Sequence, residues 1–249
     1  MMKKFCAAIV AAAMIQATAS AAVVFTEDFS YADGDLAGNG AWKAHSGSVP
    51  VTVSGGAAIV NNDSGSQDVN RFFDEISSGF ASYQFDMVVN ADAPVAGGDY
   101  EYFAHFGNSG NNGDGVNTQS FVARLDVVEA SDGTGDYSLG IASFGSTADA
   151  VTTQSFAFGD TVSVLVDFNV DSDTATLSVG GESITGRIGT QSTAVNTFVL
   201  RQSGSSSDET IAIDNLIISQ VSAIPEPSSL ASLGLLACGT VMAGRRRRK

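Results

Sequence analysis

Between residues 81 and 89 the chain sets Ala81, Tyr83, Phe85, Met87 and Val89 in alternation with Ser82, Gln84 and Asp86. Between 162 and 169 it repeats the device, Val162, Val164, Val166 and Phe168 against Ser163, Asp167 and Asn169. A period of two sends successive side chains to opposite faces of an extended strand, so one set meets a core and the other meets water. The pattern commits this part of the chain to sheet. No stretch between the two ends carries a sustained helical repeat, and further strands are expected at Val23 to Phe29, Val49 to Val53, Glu101 to Gly107, Ser120 to Val128, Tyr137 to Ser143, Thr174 to Val179, Ala194 to Arg201 and Thr210 to Ser219.

Turn chemistry separates these runs. Gly180-Gly181 stands between Thr174 to Val179 and Glu182 to Arg187, two residues able to take positive φ and close a tight hairpin. Val170-Asp171-Ser172-Asp173 turns the chain just before, with Asp side chains able to bond their own backbone. Many short strands with frequent Gly and Asp turns predict an all-β, two-sheet sandwich occupying residues 22–222.

The two ends read differently. Lys3 and Lys4 precede the apolar run Phe5 to Ile15, and Ala19-Ser20-Ala21 offers the small residues a signal peptidase requires, so residues 1–21 read as a signal peptide. Eleven apolar residues are too few for a hydrocarbon core about 30 Å thick. At the other end Pro225-Glu226-Pro227 is followed by the apolar stretch Leu230 to Gly244 and then by Arg245, Arg246, Arg247, Arg248 and Lys249. Fifteen helical residues reach roughly 22 Å, short for a permanent anchor and adequate for a signal read in the membrane. Cations resist passage through lipid, so such a segment halts with its charges on the cytoplasmic side. Residues 22–224 are therefore expected outside the cytoplasmic membrane.

The whole chain holds 12 Lys and Arg against 27 Asp and Glu. Seven of those cations and one acid belong to the ends, which leaves 5 against 26 and a body charge of −21. Such a body offers too few cations for a phosphate array, which opposes binding of the body to nucleic acid or to an anionic membrane surface. Both cysteines, Cys6 and Cys238, lie in the terminal segments, so the body has neither disulfide nor thiol chemistry and must be stabilised by its core.

Pro225-Glu226-Pro227, a short hydrophobic helix and a terminal arginine cluster, in that order, resemble the PEP-CTERM sorting signal of bacterial surface proteins. The resemblance implies that residues 223–249 are a sorting signal, with Pro225, Glu226 and Pro227 as recognition triplet and Arg245 to Arg248 as the stop. It implies an exosortase-type membrane processing enzyme as partner, and a body released to the cell surface or extracellular matrix. Within the body, Phe25-Thr26-Glu27-Asp28-Phe29-Ser30-Tyr31 with Gly34, Leu36 and Trp42, the pair Thr161 to Asn169 and Thr174 to Val179, and Ile213-Asp214-Asn215-Leu216-Ile217 resemble the concanavalin A-like lectin/glucanase jelly roll, including laminin-G-like modules. That resemblance implies that the opening and closing segments pair as neighbouring strands.

Catalytic patterns are sparse. A retaining glycosidase sets two carboxyls about 5.5 Å apart, commonly as Glu-x-Asp-x-x-Glu on one strand of such folds, whereas Glu27, Glu75, Glu101, Glu129, Glu182 and Glu209 are scattered one per segment. His45 and His105 belong to no metal-spaced cluster and no Gly-x-Ser-x-Gly elbow. A lyase-like set of His105, Tyr100, Tyr102 and Arg124 needs adjoining strands, and the plainer reading of His105 is a polar residue within a strand. The loop Asn108 to Asn117 is rich in oxygen donors around Asp114 but lacks the Asp-x-Asp-x-Asp-Gly spacing of a hand-type calcium site, and it fits a surface loop equally. Trp42 reads as a core plug, with Tyr31, Tyr100 and Tyr102 as further candidates for a sugar platform. Phe72-Phe73 and Phe156-Ala157-Phe158 read as plugs at the ends of a sandwich.

The sequence is thus read as an exported, non-enzymatic surface or matrix protein that contacts extracellular polysaccharide or serves a structural role. It has no assigned catalytic residue, metal ligand or cofactor. The competing reading is a secreted carbohydrate-active enzyme, a polysaccharide lyase or glycosidase, on the same fold.

Overall fold

Alternating side chains need partner strands on both edges, and the computed structural model of the 249-residue chain supplies them as two facing sheets. It describes residues 21–62, 67–96, 100–108, 121–145, 147–191, 193–202 and 208–221. Residues 1–20, the C-terminal stretch with Pro225, Glu226, Pro227 and Arg245 to Arg248, and residues 109–117 of the Asn-rich loop lie outside the described residues. Among the described residues no helix is long and apolar enough to cross a membrane.

The strands in chain order are β1 (Ala21–Glu27), β2 (Gly34–Asp35), β3 (Trp42–Ser46), β4 (Thr52–Ser54), β5 (Ala57–Asn61), β6 (Asp68–Ile76), β7 (Phe80–Asn90) and β8 (Tyr100–Gly107). They continue as β9 (Val122–Val128), β10 (Ser138–Phe144), β11 (Ala150–Val151), β12 (Thr161–Asn169), β13 (Thr174–Val179), β14 (Glu182–Thr185), β15 (Val195–Arg201) and β16 (Thr210–Val221). One sheet has nine strands in the order β14-β13-β12-β7-β16-β5-β4-β2, with β1 beside β16; the other has seven, β11-β10-β9-β8-β15-β6-β3. β16 is long enough to pair along one edge with two strands end to end, β5 over 210–213 and β1 over 216–221. Opening and closing segments therefore do adjoin.

The two alternating runs are neighbours, β7 and β12, in an unbroken antiparallel register from Thr161↔Val88 to Asn169↔Phe80. Their apolar halves, Ala81, Tyr83, Phe85, Met87 and Val89 with Val162, Val164, Val166 and Phe168, are buried in the core. The Gly180-Gly181 hairpin forms as expected, with φ of 59° and 85° in the left-handed region that two-residue turns use. Against the seven-stranded sheet, Tyr83 packs its ring at 5.1 Å from Phe106 and 5.2 Å from Phe198, and its hydroxyl donates to the carbonyl of Ala123 at 2.7 Å. One core tyrosine thus ties the nine-stranded sheet to a particular point of β9.

Trp42 is a core residue, buried against Phe29 and Phe198, and its Nε1 donates to Glu27 Oε2 at 3.1 Å. Glu27 also accepts from the Phe29 amide, the Tyr31 hydroxyl and Arg71 Nη1, so one buried carboxylate links β1 to β3 and β6 across the sandwich.

Strands β3, β5 and β6 depart from the sequence expectation. β6 lacks a clean polar/apolar period because it lies near a sheet edge, where Arg71 on the core side is long enough to reach Glu27. Its pair Phe72-Phe73 is part of the strand and not an end plug. Phe73 packs at 6.0 Å from Phe106, while Phe72 lies under the Lys43 ammonium, 5.9 Å from its ring centre. Phe156 and Phe158 do pack around Tyr137, at 5.6 and 5.8 Å, beside the core.

Candidate functional site

In a regular strand, residues three apart face opposite sides. Tyr102 and His105 on β8 would be separated by the sheet, and so would Phe121 and Arg124 at the start of β9. Two bulges cancel that separation. Register runs Tyr102↔Asp126, then Ala104↔Leu125, then Phe106↔Val122, so β8 carries one extra residue at Phe103 and β9 carries one beside Ala123. At the first bulge Phe103 and Ala104 both turn to the core, at the second Val122 and Ala123 both do so. Ala123 takes φ +53°, a left-handed conformation uncommon for a residue with a Cβ, and the Tyr83 hydroxyl holds its carbonyl from the core side. As a result Tyr102, His105, Phe121 and Arg124 all stand on the outer face of the seven-stranded sheet.

They meet there. The Arg124 guanidinium lies 4.1 Å from the centre of the Tyr102 ring, and the Arg201 guanidinium, brought by β15, lies 4.6 Å from it. The His105 ring sits 5.9 Å from Tyr102 and 4.9 Å from Phe121, and Phe121 meets Tyr102 edge-on at 6.4 Å. Arg124 is fully buried; its Nη2 donates to both Asp126 oxygens at 3.1 Å, and its Nη1 donates to the Gly145 carbonyl. Asp68 on β6 accepts from Ser46 at 3.1 Å and lies 3.7 Å from Arg201 and 3.6 Å from His45. His45 is itself the extra residue of a bulge between Ala44 and Ser46.

Burial governs the charges. Desolvation raises the Asp126 carboxyl to about 6 despite the opposing pull of Arg124. It raises Asp68 also, against Arg201, Ser46 and His45. For His105 burial is again the leading cause and pushes the imidazole down to about 3, with Arg124, Arg201 and His45 adding to the depression. The ring is therefore neutral. Its Nδ1 lies 2.8 Å from the carbonyl oxygen of Phe106, which can only accept, so Nδ1 carries the proton and Nε2 presents a lone pair. No hydrogen-bond partner meets Nε2 among the described residues, nor Nε of Arg124 or of Arg201.

Of the residues considered from sequence, the structure brings His105, Tyr102 and Arg124 together, while Tyr100 pairs with Val128 at the start of β8, two residues before the cluster. Trp42 lies in the core and Tyr31 is engaged by Glu27, so neither forms a sugar platform with Tyr102. Arg201, Asp126, Asp68 and Phe121 were not anticipated. The available signal was Arg124-Leu125-Asp126, two opposite charges at same-face spacing inside an apolar strand. Asn108, at the start of the Asn-rich loop, donates to the Ala194 carbonyl at 3.0 Å, and among the described residues no three His, Cys, Asp or Glu converge as a metal site.

No protein-family model matches the sequence, and no curated protein matches it either. Among solved structures the chain is similar to the lectin UEA-II complexed with galactose, with TM-score 0.49 and 14% identity over 80% of this chain and 98% of that one. It is similar to peanut lectin with a 9mer peptide, TM-score 0.47 and 13% identity over 84% of this chain and 100% of that one. A sialidase matches with TM-score 0.45 and 14% identity over 82% of this chain, but over only 19% of its own length.

Proposed function

We propose that this chain is an exported bacterial surface or extracellular-matrix protein whose β-sandwich body, residues 22–222, binds glycan. The observation that carries the binding role is the convergence of Tyr102, Phe121, Arg124, Arg201 and His105 on one sheet face. Aromatic rings there lie beside oriented donors and a buried acceptor that has no partner among the described residues, the mixture a pyranose with apolar faces and hydroxyl edges requires. Export rests on the sequence of the two ends: a signal peptide at 1–21, read by signal peptidase, and a PEP-CTERM-like signal at 223–249. In this reading the C-terminal helix holds the precursor in the membrane until an exosortase-type enzyme recognises Pro225, Glu226 and Pro227, with Arg245, Arg246, Arg247 and Arg248 arresting the tail. The body then passes to the cell surface or matrix.

Two experiments test the two halves. Arg245 to Arg248 replaced by Ser should abolish C-terminal processing and surface delivery, read by mass spectrometry of the mature C-terminus and by cell fractionation; unchanged processing would reject the sorting role. Tyr102→Ala should lower retention of the protein on immobilised glycans about tenfold, a loss of about 1.4 kcal/mol, because the ring that positions the Arg124 and Arg201 donors is removed; unchanged retention would reject binding at this cluster.

A second reading, a secreted carbohydrate-active enzyme, draws support from the contact of His105 with Tyr102 and of Arg124 with Tyr102. It requires His105 as proton acceptor. General bases work best with a pKa near the operating pH, and an imidazole at about 3 is far too weak a base at neutral pH, which favours binding over turnover. Release of reducing ends or unsaturated products from any glycan, lost in His105→Ala, would reverse that preference.

A further inference from the structure

The hydrogen-bonding capacity left over on the outer face of the seven-stranded sheet restricts which glycan it accepts. Its fixed charges are already matched with one another: Arg124 with Asp126, and Arg201 with Asp68 and its neighbour His45. Among the described residues, what this cluster leaves without a partner is one lone pair at His105 Nε2 and two N–H donors at Arg124 Nε and Arg201 Nε. A carboxylate or sulfate can accept from the two arginines but has no proton to give His105. It would also enter beside Asp68 and Asp126 in a body of charge −21. An ammonium can donate to His105 but cannot accept, and it would face two guanidinium groups. A group that donates and accepts at once without carrying charge satisfies these atoms, and the hydroxyl is the one that every sugar ring presents.

We infer that this face takes an uncharged, hydroxyl-rich stretch of polysaccharide, one hydroxyl donating to His105 Nε2 while hydroxyl oxygens accept from Arg124 Nε and Arg201 Nε. The inference rests on the glycan-binding reading and names its ligand class. Tyr102 holds the two guanidinium groups in place, at 4.1 and 4.6 Å from its ring centre, and the 38%-exposed Phe121 ring, 4.9 Å from the imidazole, is the side chain that must swing aside for a hydroxyl to reach it. Leaving a buried acceptor unmet costs more than a neutral hydrogen bond gains, so a ligand without a donor is penalised twice.

The test uses the full chain in mild detergent and affinity electrophoresis through gels containing either neutral polymers (dextran, galactan) or acidic ones (polygalacturonate, sulfated galactan). Runs at about 0.01 M and about 1 M NaCl change the Debye length from about 30 to about 3 Å. Retardation by a neutral polymer is expected, with a dissociation constant that changes less than about twofold between the two salts, as befits contacts without net charge. Arg201→Gln, at the rim, and His105→Phe, in the floor, should each weaken it about tenfold. Should the buried His105→Phe variant lose its β circular dichroism, Arg201→Gln alone decides the matter. Binding confined to acidic polymers and abolished by salt would overturn the inference while leaving glycan binding intact. Neutral binding indifferent to Arg201→Gln would overturn the assignment to this face, and no retardation by any polymer would remove the glycan-binding reading itself.

Discussion

Two outward faces of the same sandwich treat their polar residues in opposite ways. On the nine-stranded sheet, β7 and β12 run in unbroken register, and the polar halves of their alternation pair across the strands. Ser82 donates to Asp167 at 2.5 Å and Ser163 donates to Asp86 at 2.5 Å. On the seven-stranded sheet, β8 and β9 are bulged twice, and the polar residues gathered there keep capacity to spare. A regular ladder sets each side chain opposite its partner and uses up what it brings. An extra residue collects side chains from positions that cannot otherwise meet, and leaves them facing outward together. The paired Ser and Asp side chains of β7 and β12 belong to the scaffold, whereas the bulged strands gather unpartnered Nε2 of His105 and Nε of Arg124 and Arg201 at the candidate site.

The largest effect expected is on the bulged face. Arg124→Met strands the buried Asp126 carboxylate and should cost about 3–5 kcal/mol of unfolding free energy by urea denaturation, most of it recovered when Asp126→Leu is added. A smaller loss, about 1–3 kcal/mol, is expected for Tyr83→Phe, which leaves the Ala123 carbonyl without its donor. If the Tyr83 hydroxyl is what fixes the second bulge, that variant also weakens glycan retention although Tyr83 touches no ligand, and unchanged retention would separate the bulge from the core.

The same face should show itself in pH dependence. Asp126, raised to about 6, contributes stability that is full below its unfolded value of 3.8 and is lost as pH rises through about 6. His105, lowered to about 3, contributes stability present above 6.5 and lost as pH falls towards 3. The two oppose each other between pH 4 and 6. Relative to the parent, His105→Gln should therefore gain on acidification and Asp126→Asn should gain on alkalinisation, each with a limiting slope of about 1.4 kcal/mol per pH unit. Parallel curves for parent and variants would show that these groups are not buried as described. On the regular face the effects shrink: Ser82→Ala should cost about 1 kcal/mol, and Ser163→Ala, at an exposed pair, under about 0.5 kcal/mol. A regular-face variant as costly as Arg124→Met would erase the contrast between the faces.

How much of this was legible varies with locality. The period of two in 81–89 and 162–169, the Gly180-Gly181 turn and the burial of Trp42 are properties of neighbouring residues, and the sandwich follows from them. β6 was hidden because Arg71 on its core side is matched by Glu27, 44 residues earlier, which no local pattern announces. His105, Tyr102 and Arg124 could be listed together from their types, yet the alternation that revealed the strands would have put Tyr102 and His105 on opposite faces. Arg201 and Asp68 reach the cluster only through the strand order β9-β8-β15-β6.

The sequence by itself determined that the body is sheet, that it has no cysteine, and that it carries far more acid than base between two apolar ends that carry Lys and Arg, because composition and period need only nearby residues. Which side chains share a face was decided by the tertiary structure. A bulge is a property of two strands in register, held here by a tyrosine hydroxyl from the opposite sheet, and a single strand does not contain that information.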